Sequence, residues 1–241
     1  MIVNEEKKTS PKQRIIIVLI AILMLGSTFA LYAGIVLQYQ GVGAKTVGGL
    51  TTEEQDEMQN LMYEYQQKVN AQADELSAKY YDTFKVYRDR VRAYNAADVT
   101  QLKVTDLKVG DGRQIEDLDD VDYAAYYIGW LSDEKVFDSS FDNYENPTKL
   151  SSPLPGSTNL IQGWLEGVAK GTEEGYIWDG MRIGGVREIA IPSVLGYGSE
   201  TQNDIPANSP LKFVVMLVEK PEEIEYPACL EELYSKMYGL K

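Results

Sequence analysis

The chain contains no histidine and a single cysteine, Cys229, among 241 residues. Those two scarcities exclude a Ser-His-Asp triad, a Cys-His pair and a His/Cys zinc site built from the chain's own residues. One cysteine forms no intrachain disulfide, and Cys229 reads as a packed side chain and not a reactive one. Positive charge is also in short supply, with 23 Lys and Arg against 37 Asp and Glu and a formal net charge of -14. Nucleic-acid affinity rests on Lys and Arg neutralising phosphates, so nucleic acid is set aside as a partner. What remains is 44% apolar, enough for a real core.

Charge is absent altogether from residues 15–37, "IIIVLIAILMLGSTFALYAGIVL". At 1.5 Å per residue such a run crosses the roughly 30 Å hydrocarbon layer, so it reads as a transmembrane helix. Lys7, Lys8, Lys12 and Arg14 precede it, and the next basic residue is Lys45. Positive-inside bias therefore places residues 1–14 in the cytoplasm and everything after the helix outside, a single-pass protein of the cell membrane. A cleaved secretory signal is the competing reading, with Ala30 and Ala33 near the cut.

Residues 38–50 are glycine-rich and read as a linker. Thr51 followed by Glu54 forms a capping box, and Met58, Met62, Tyr65, Val69, Leu76, Tyr80, Phe84, Tyr87 and Val91 recur at helical spacing. Acids cluster at the start and Lys85, Arg88, Arg90 and Arg92 near the end, as the helix dipole favours. A long amphipathic helix is predicted over 51–97. Its apolar stripe packs on the following domain, folds into a hairpin, or pairs with a second copy as a homodimer through residues 53–94.

From about residue 101 the period changes to alternation. Tyr123, Ala125, Tyr127 and Leu131 share one face, as do Leu211, Phe213, Val215 and Leu217, which predicts strands with one side in a core. "STNLIQGWLEGV" is the lone short helix, with Ser157 or Thr158 as its cap and Ile161, Trp164, Leu165 and Val168 facing inward. The expectation is an α+β domain over 98–220, an antiparallel curved sheet wrapped on one short helix, with a tail at 221–241 ending in a short amphipathic helix.

"VGDGR", "YYIGWLSDEKVFDSS", "LIQGWLEGV", "GMRIGGVREIAIP", "LGYGS" and "IPANSPLKFVVMLV" occur in that order. Over residues 102–220 the chain resembles the FKBP-type peptidyl-prolyl isomerases. The resemblance implies an apolar pocket, with Tyr127, Phe137, Asp138, Ile161, Trp164, Tyr197 and Phe213 as catalytic candidates and Leu160 and Ile205 as substrate-binding ones. It implies no cofactor and no metal, and proline-containing polypeptides as substrates. Taken without the resemblance, Trp164, Phe137 and Phe213 read as ordinary core and Asp138 as a turn residue. Tyr197, between Gly196 and Gly198 in a loop, is harder to explain by packing.

Rotation about an Xaa-Pro bond asks for no nucleophile, base or metal. Its barrier of about 18–20 kcal/mol arises from a charge-separated resonance that water stabilises and an apolar pocket does not. The expected function is thus a prolyl isomerase assisting the folding of exported proteins. The alternative is a non-catalytic peptide-binding or scaffolding module at the membrane surface. Three departures from the family pattern keep that alternative open: Thr148 where an aromatic is usual, Asn143 where an arginine pairs the rim aspartate, and Asp204 at an apolar rim position. Residues 169–180 exceed the short family form and are expected to make a flap or a protein-contact surface.

Overall fold

Strands alternate because successive side chains point to opposite faces of a sheet, and in the computed structural model that rule builds a six-stranded sheet. The structure describes residues 46–47, 50–173 and 175–237. The expected cytoplasmic segment 1–14 and transmembrane segment 15–37, with most of the linker 38–50, lie outside them. Among the described residues no helix is long and apolar enough to cross a membrane.

The chain divides into two units. One comprises Met1–Asp56 with Leu233–Lys241. In it β1 (Thr46–Val47) pairs antiparallel with β2 (Leu50–Thr51). The predicted capping box opens helix α1 (Thr52–Lys85): the Thr51 amide donates to Glu54 Oε2 at 2.8 Å, and the Glu54 amide to Thr51 Oγ1 at 3.3 Å. The Glu54 carboxylate also accepts from Lys236 Nζ, and these bonds hold its pKa at about 2.

The second unit, Glu57–Glu232, carries the sheet. Strands β3 (Lys103–Lys108), β4 (Ala124–Trp130), β5 (Val136–Ser139), β6 (Leu154–Pro155), β9 (Val186–Ile191) and β10 (Leu211–Val218) are all antiparallel, in the order β3-β9-β10-β4-β5 with β6 against β4. Helix α2 (Gln162–Val168) is followed by a hairpin of β7 (Gly171–Glu173) and β8 (Tyr176–Trp178). Helix α3 (Ala228–Met237) follows the last strand.

The expectation of strands buried on one side is corrected. Tyr123, Ala125, Phe213, Val215 and Leu217 join Trp164 and Val168 in one core. Ala124, Tyr126, Ile128, Trp130, Val214, Met216 and Val218 form a second core on the opposite face, with Phe84, Tyr80, Tyr81 and Tyr87. Phe84 stacks on Phe141 at 5.6 Å and 19° and lies 6.2 Å from Tyr126. The end of α1 is therefore an integral layer, and the apolar positions Tyr80 and Phe84, left open above to a second copy, are taken up by the chain's own sheet. A domain boundary at 98 cuts through this second core.

Three local expectations also change. The long helix stops at Lys85 and not near 97. A 3-10 turn, Val86–Arg90, redirects the chain, and Arg88 donates to the Tyr144 carbonyl while Arg90 pairs with Glu188 at 2.6 Å. These contacts override helix propensity, since no Gly or Pro marks the stop. The short helix begins at Gln162 behind Ile161, without a side-chain cap, because the Thr158 amide closes a turn on the Pro155 carbonyl instead. Cys229 is exposed on α3, not packed.

The tail runs along α1, with Gln72 Nε2 donating to the Glu222 carbonyl at 2.8 Å and Tyr65 meeting Tyr226 edge to face at 5.2 Å.

Candidate functional site

On the inner face, four elements bring four rings together. Trp164 rises from α2, Tyr127 from β4, Phe137 from β5 and Phe213 from β10. Trp164 meets Tyr127 at 5.5 Å and Phe213 at 5.3 Å, and Phe213 meets Phe137 at 5.5 Å, all edge to face. That geometry sets each ring's positive edge against a neighbour's negative face, worth about 0.5–1.5 kcal/mol a pair beyond burial. Trp164 is only 2% exposed and Phe213 only 5%, while Tyr127, Phe137, Leu160, Ile161 and Tyr197 are half-buried around them. Ile205 is buried in the same core. The rings touch one another directly and form an aromatic platform. A separate pocket of about 160 Å³ lies among Asp106, Asp179, Arg182 and Arg187.

A residue absent from the sequence-based candidates makes this packing possible. Gly129 faces Phe213 on one neighbouring strand and Asp138 on the other. A Cβ there would lie 2.6 Å from the Phe137 ring and 2.7 Å from the Phe213 ring. A lone glycine inside an apolar strand is the signal that points to such a close approach.

The polar groups sit at the edge. Tyr127 Oη donates to Asp138 Oδ2 at 2.6 Å. Burial, and then the bond to Asp138, push the Tyr127 hydroxyl far above the ordinary tyrosine range. Burial and the Asp138 charge also push Tyr197 up. Both hydroxyls are neutral at physiological pH and remain donors. Among the described residues the Trp164 indole N–H is buried without a hydrogen bond of ordinary geometry, the Tyr123 hydroxyl being its polar neighbour.

The three departures lie apart from this centre. The Asp142 carboxylate is raised by desolvation, but bonds from the Thr148 hydroxyl and the amides of Thr148, Lys149 and Asn143 outweigh that and bring it to about 2. Asn143 Oδ1 accepts from the amides of Glu145 and Asn146, so Asn143 orders its own loop, and Asp138 is paired by Tyr127. Asp204 forms an exposed ion pair with Lys135 at 3.3 Å, a contact of small energetic weight. Among the described residues no three acidic or cysteine side chains converge to hold a metal ion.

Within the segment expected to be a flap, β7 and β8 pair as a hairpin that is fastened and not a loose flap. Tyr176 Oη donates to the Val104 carbonyl at 2.7 Å, and Glu173 Oε2 accepts from the Leu102 amide at 2.8 Å.

The profile of the FKBP-type peptidyl-prolyl cis-trans isomerase family matches residues 111–218. The chain is 39% identical over 121 residues to "FK506-binding protein 4" of Neurospora crassa, covering 50% of this chain and 22% of that protein. It is 37% identical over 117 residues to a "Peptidyl-prolyl cis-trans isomerase" of Saccharomyces cerevisiae, covering 48% and 24%. The match thus spans less than a quarter of either relative's length. The crystal structure of AtFKBP13 aligns at 30% identity over 50% of this chain and 93% of that one, with a TM-score of 0.38. Tyr127, Phe137, Trp164 and Phe213 all lie within residues 111–218, the segment of the chain that matches the FKBP-type peptidyl-prolyl cis-trans isomerase family.

Proposed function

We propose that the chain is a peptidyl-prolyl cis-trans isomerase acting on proline-containing polypeptides. The observation that carries this reading is the meeting of Tyr127, Phe137, Trp164 and Phe213 beside hydroxyls that donate without titrating.

A proline ring laid on Trp164 and Phe213 brings the preceding amide out of water. The planar amide loses the solvation that favours its charge-separated form, and the twisted amide loses less. Donors at the edge add to this. The Ile161 amide stands where the first N–H groups of a helix lack intrahelical partners, and the Tyr197 hydroxyl lies on the opposite loop. Asp138 orients the Tyr127 hydroxyl and faces the dipole of the rotating carbonyl. Uncatalysed exchange takes about 10–100 s, so millisecond turnover requires about 5.5–7 kcal/mol of barrier lowering.

Exchange NMR on a Leu-Pro peptide with the full chain in detergent micelles tests this. The expected result is cis-trans exchange accelerated into the sub-second range. The profile should be flat from roughly pH 6 to 9, because the chain has no imidazole and its site tyrosines are raised. Unchanged exchange at every enzyme concentration would refute it.

Residues 15–37 are read as a membrane anchor that displays the domain on the outer side, where it serves the folding of exported proteins. Full-length chain retained in carbonate-washed membranes is the expected outcome; a shortened, soluble chain is the contrary one.

A further inference from the structure

We propose that the β7–β8 hairpin sets the position of the aromatic platform's floor, with Trp178 as the positioning residue. This rests on the reading of the platform as the isomerase site.

Helix α2 carries Trp164 and is seven residues long, too short to be stable alone. A helix leaves its last four carbonyls without intrahelical donors, and where those of α2 find donors is informative. Leu165 accepts from the Ala169 amide at 3.0 Å, directly after the helix. Glu166 accepts from the Trp178 indole N–H at 3.2 Å, and the same N–H reaches the Ala169 carbonyl at 3.0 Å. Gly167 accepts from Arg187 Nη1 at 2.8 Å, and that guanidinium also holds the Asp179 carbonyl at 2.7 Å. Val168 accepts from the Met181 amide at 2.8 Å. The hairpin and its immediate flank therefore close the end of the helix.

Packing fixes Trp178 in turn. It is 7% exposed, and Gly171 lies so close beneath its ring that a Cβ there would come within 2.3 Å. Tyr176 lies 5.5 Å from it and ties β8 to β3 through the Val104 carbonyl. A shift of the indole is thus passed along α2 to Trp164, one helical turn away, and misplacement of about 1 Å at a reacting centre is enough to cost about 100-fold in rate.

Trp178→Phe keeps a ring in the packing and removes the donor. The full chain carrying it is expected to show kcat/KM lowered about tenfold per folded molecule. In a ¹H–¹⁵N spectrum the Trp164 indole resonance should move, while that of Trp130, whose N–H donates to the Arg92 carbonyl at 3.1 Å, should stay. Ile177→Ser, at a 71% exposed position of the hairpin, should change neither. A lowered Tm with kcat/KM and the Trp164 resonance both unchanged would overturn the proposal. If Trp178→Phe does not fold, Tyr176→Phe, which frees β8 from Val104, is read by the same two criteria. If the unaltered chain lacks isomerase activity, the function proposed above fails, and the Trp164 resonance still decides the coupling by itself.

Discussion

Trp164→Ala is expected to lower kcat/KM by about 100-fold, in line with losing the positioning of a reacting group. Trp164 contacts both Tyr127 and Phe213, so its removal takes away the floor and the wedge that separates two walls. The substitution also opens a cavity in a side chain that is 2% exposed, at a cost of about 3–5 kcal/mol. That is a large share of the roughly 5–15 kcal/mol that holds a domain together. Activity is therefore measured at low temperature against the fraction folded by circular dichroism. Trp164→Phe, which restores an apolar floor, should recover most of the loss. Folded Trp164→Ala with activity within about threefold of the parent would remove the indole from the mechanism.

Phe84→Ala should do the opposite, weakening the fold and sparing the chemistry. Phe84 is fully buried against Tyr126 and Phe141 on the face of the sheet away from Trp164. A loss of about 3–5 kcal/mol is expected from the cavity, and a drop in Tm of about 10 °C follows for a domain of this size. The activity per folded molecule at low temperature should be unchanged. A Tm shift under about 2 °C would mean that the end of α1 is a dispensable layer, not a structural one.

These two substitutions separate what the sequence announces from what only the fold supplies. The inner face was legible because Tyr123, Ala125, Tyr127 and Leu211, Phe213, Val215, Leu217 alternate. The outer core was legible only in a weaker way. "AAYYIGW" and "FVVMLV" are nearly continuous apolar runs, as strands buried on both faces require, and each contains the alternating subset that mimics a one-sided strand. Helix ends were the least readable. Nothing at Lys85 stops a helix, and the turn there is set by what Arg88 and Arg90 reach across the fold. Ser157 and Thr158 have the chemistry of caps but lie in a turn closed on Pro155. Within the site, residue types pointed to the aromatics, whereas Gly129 acts through having no side chain and Trp178 through a bond to another element's carbonyls. Asn143 and Asp204 looked like changes to the pocket. One is engaged in its own loop and the other in an exposed ion pair.

The most direct test of the account is a crystal structure of the chain with a Leu-Pro peptide bound. The pyrrolidine ring is expected to lie flat on the Trp164 indole, within van der Waals reach of Tyr127, Phe137 and Phe213, with the preceding carbonyl directed toward Tyr197 or the Ile161 amide. A peptide seated on any other surface, with these rings untouched, would contradict it.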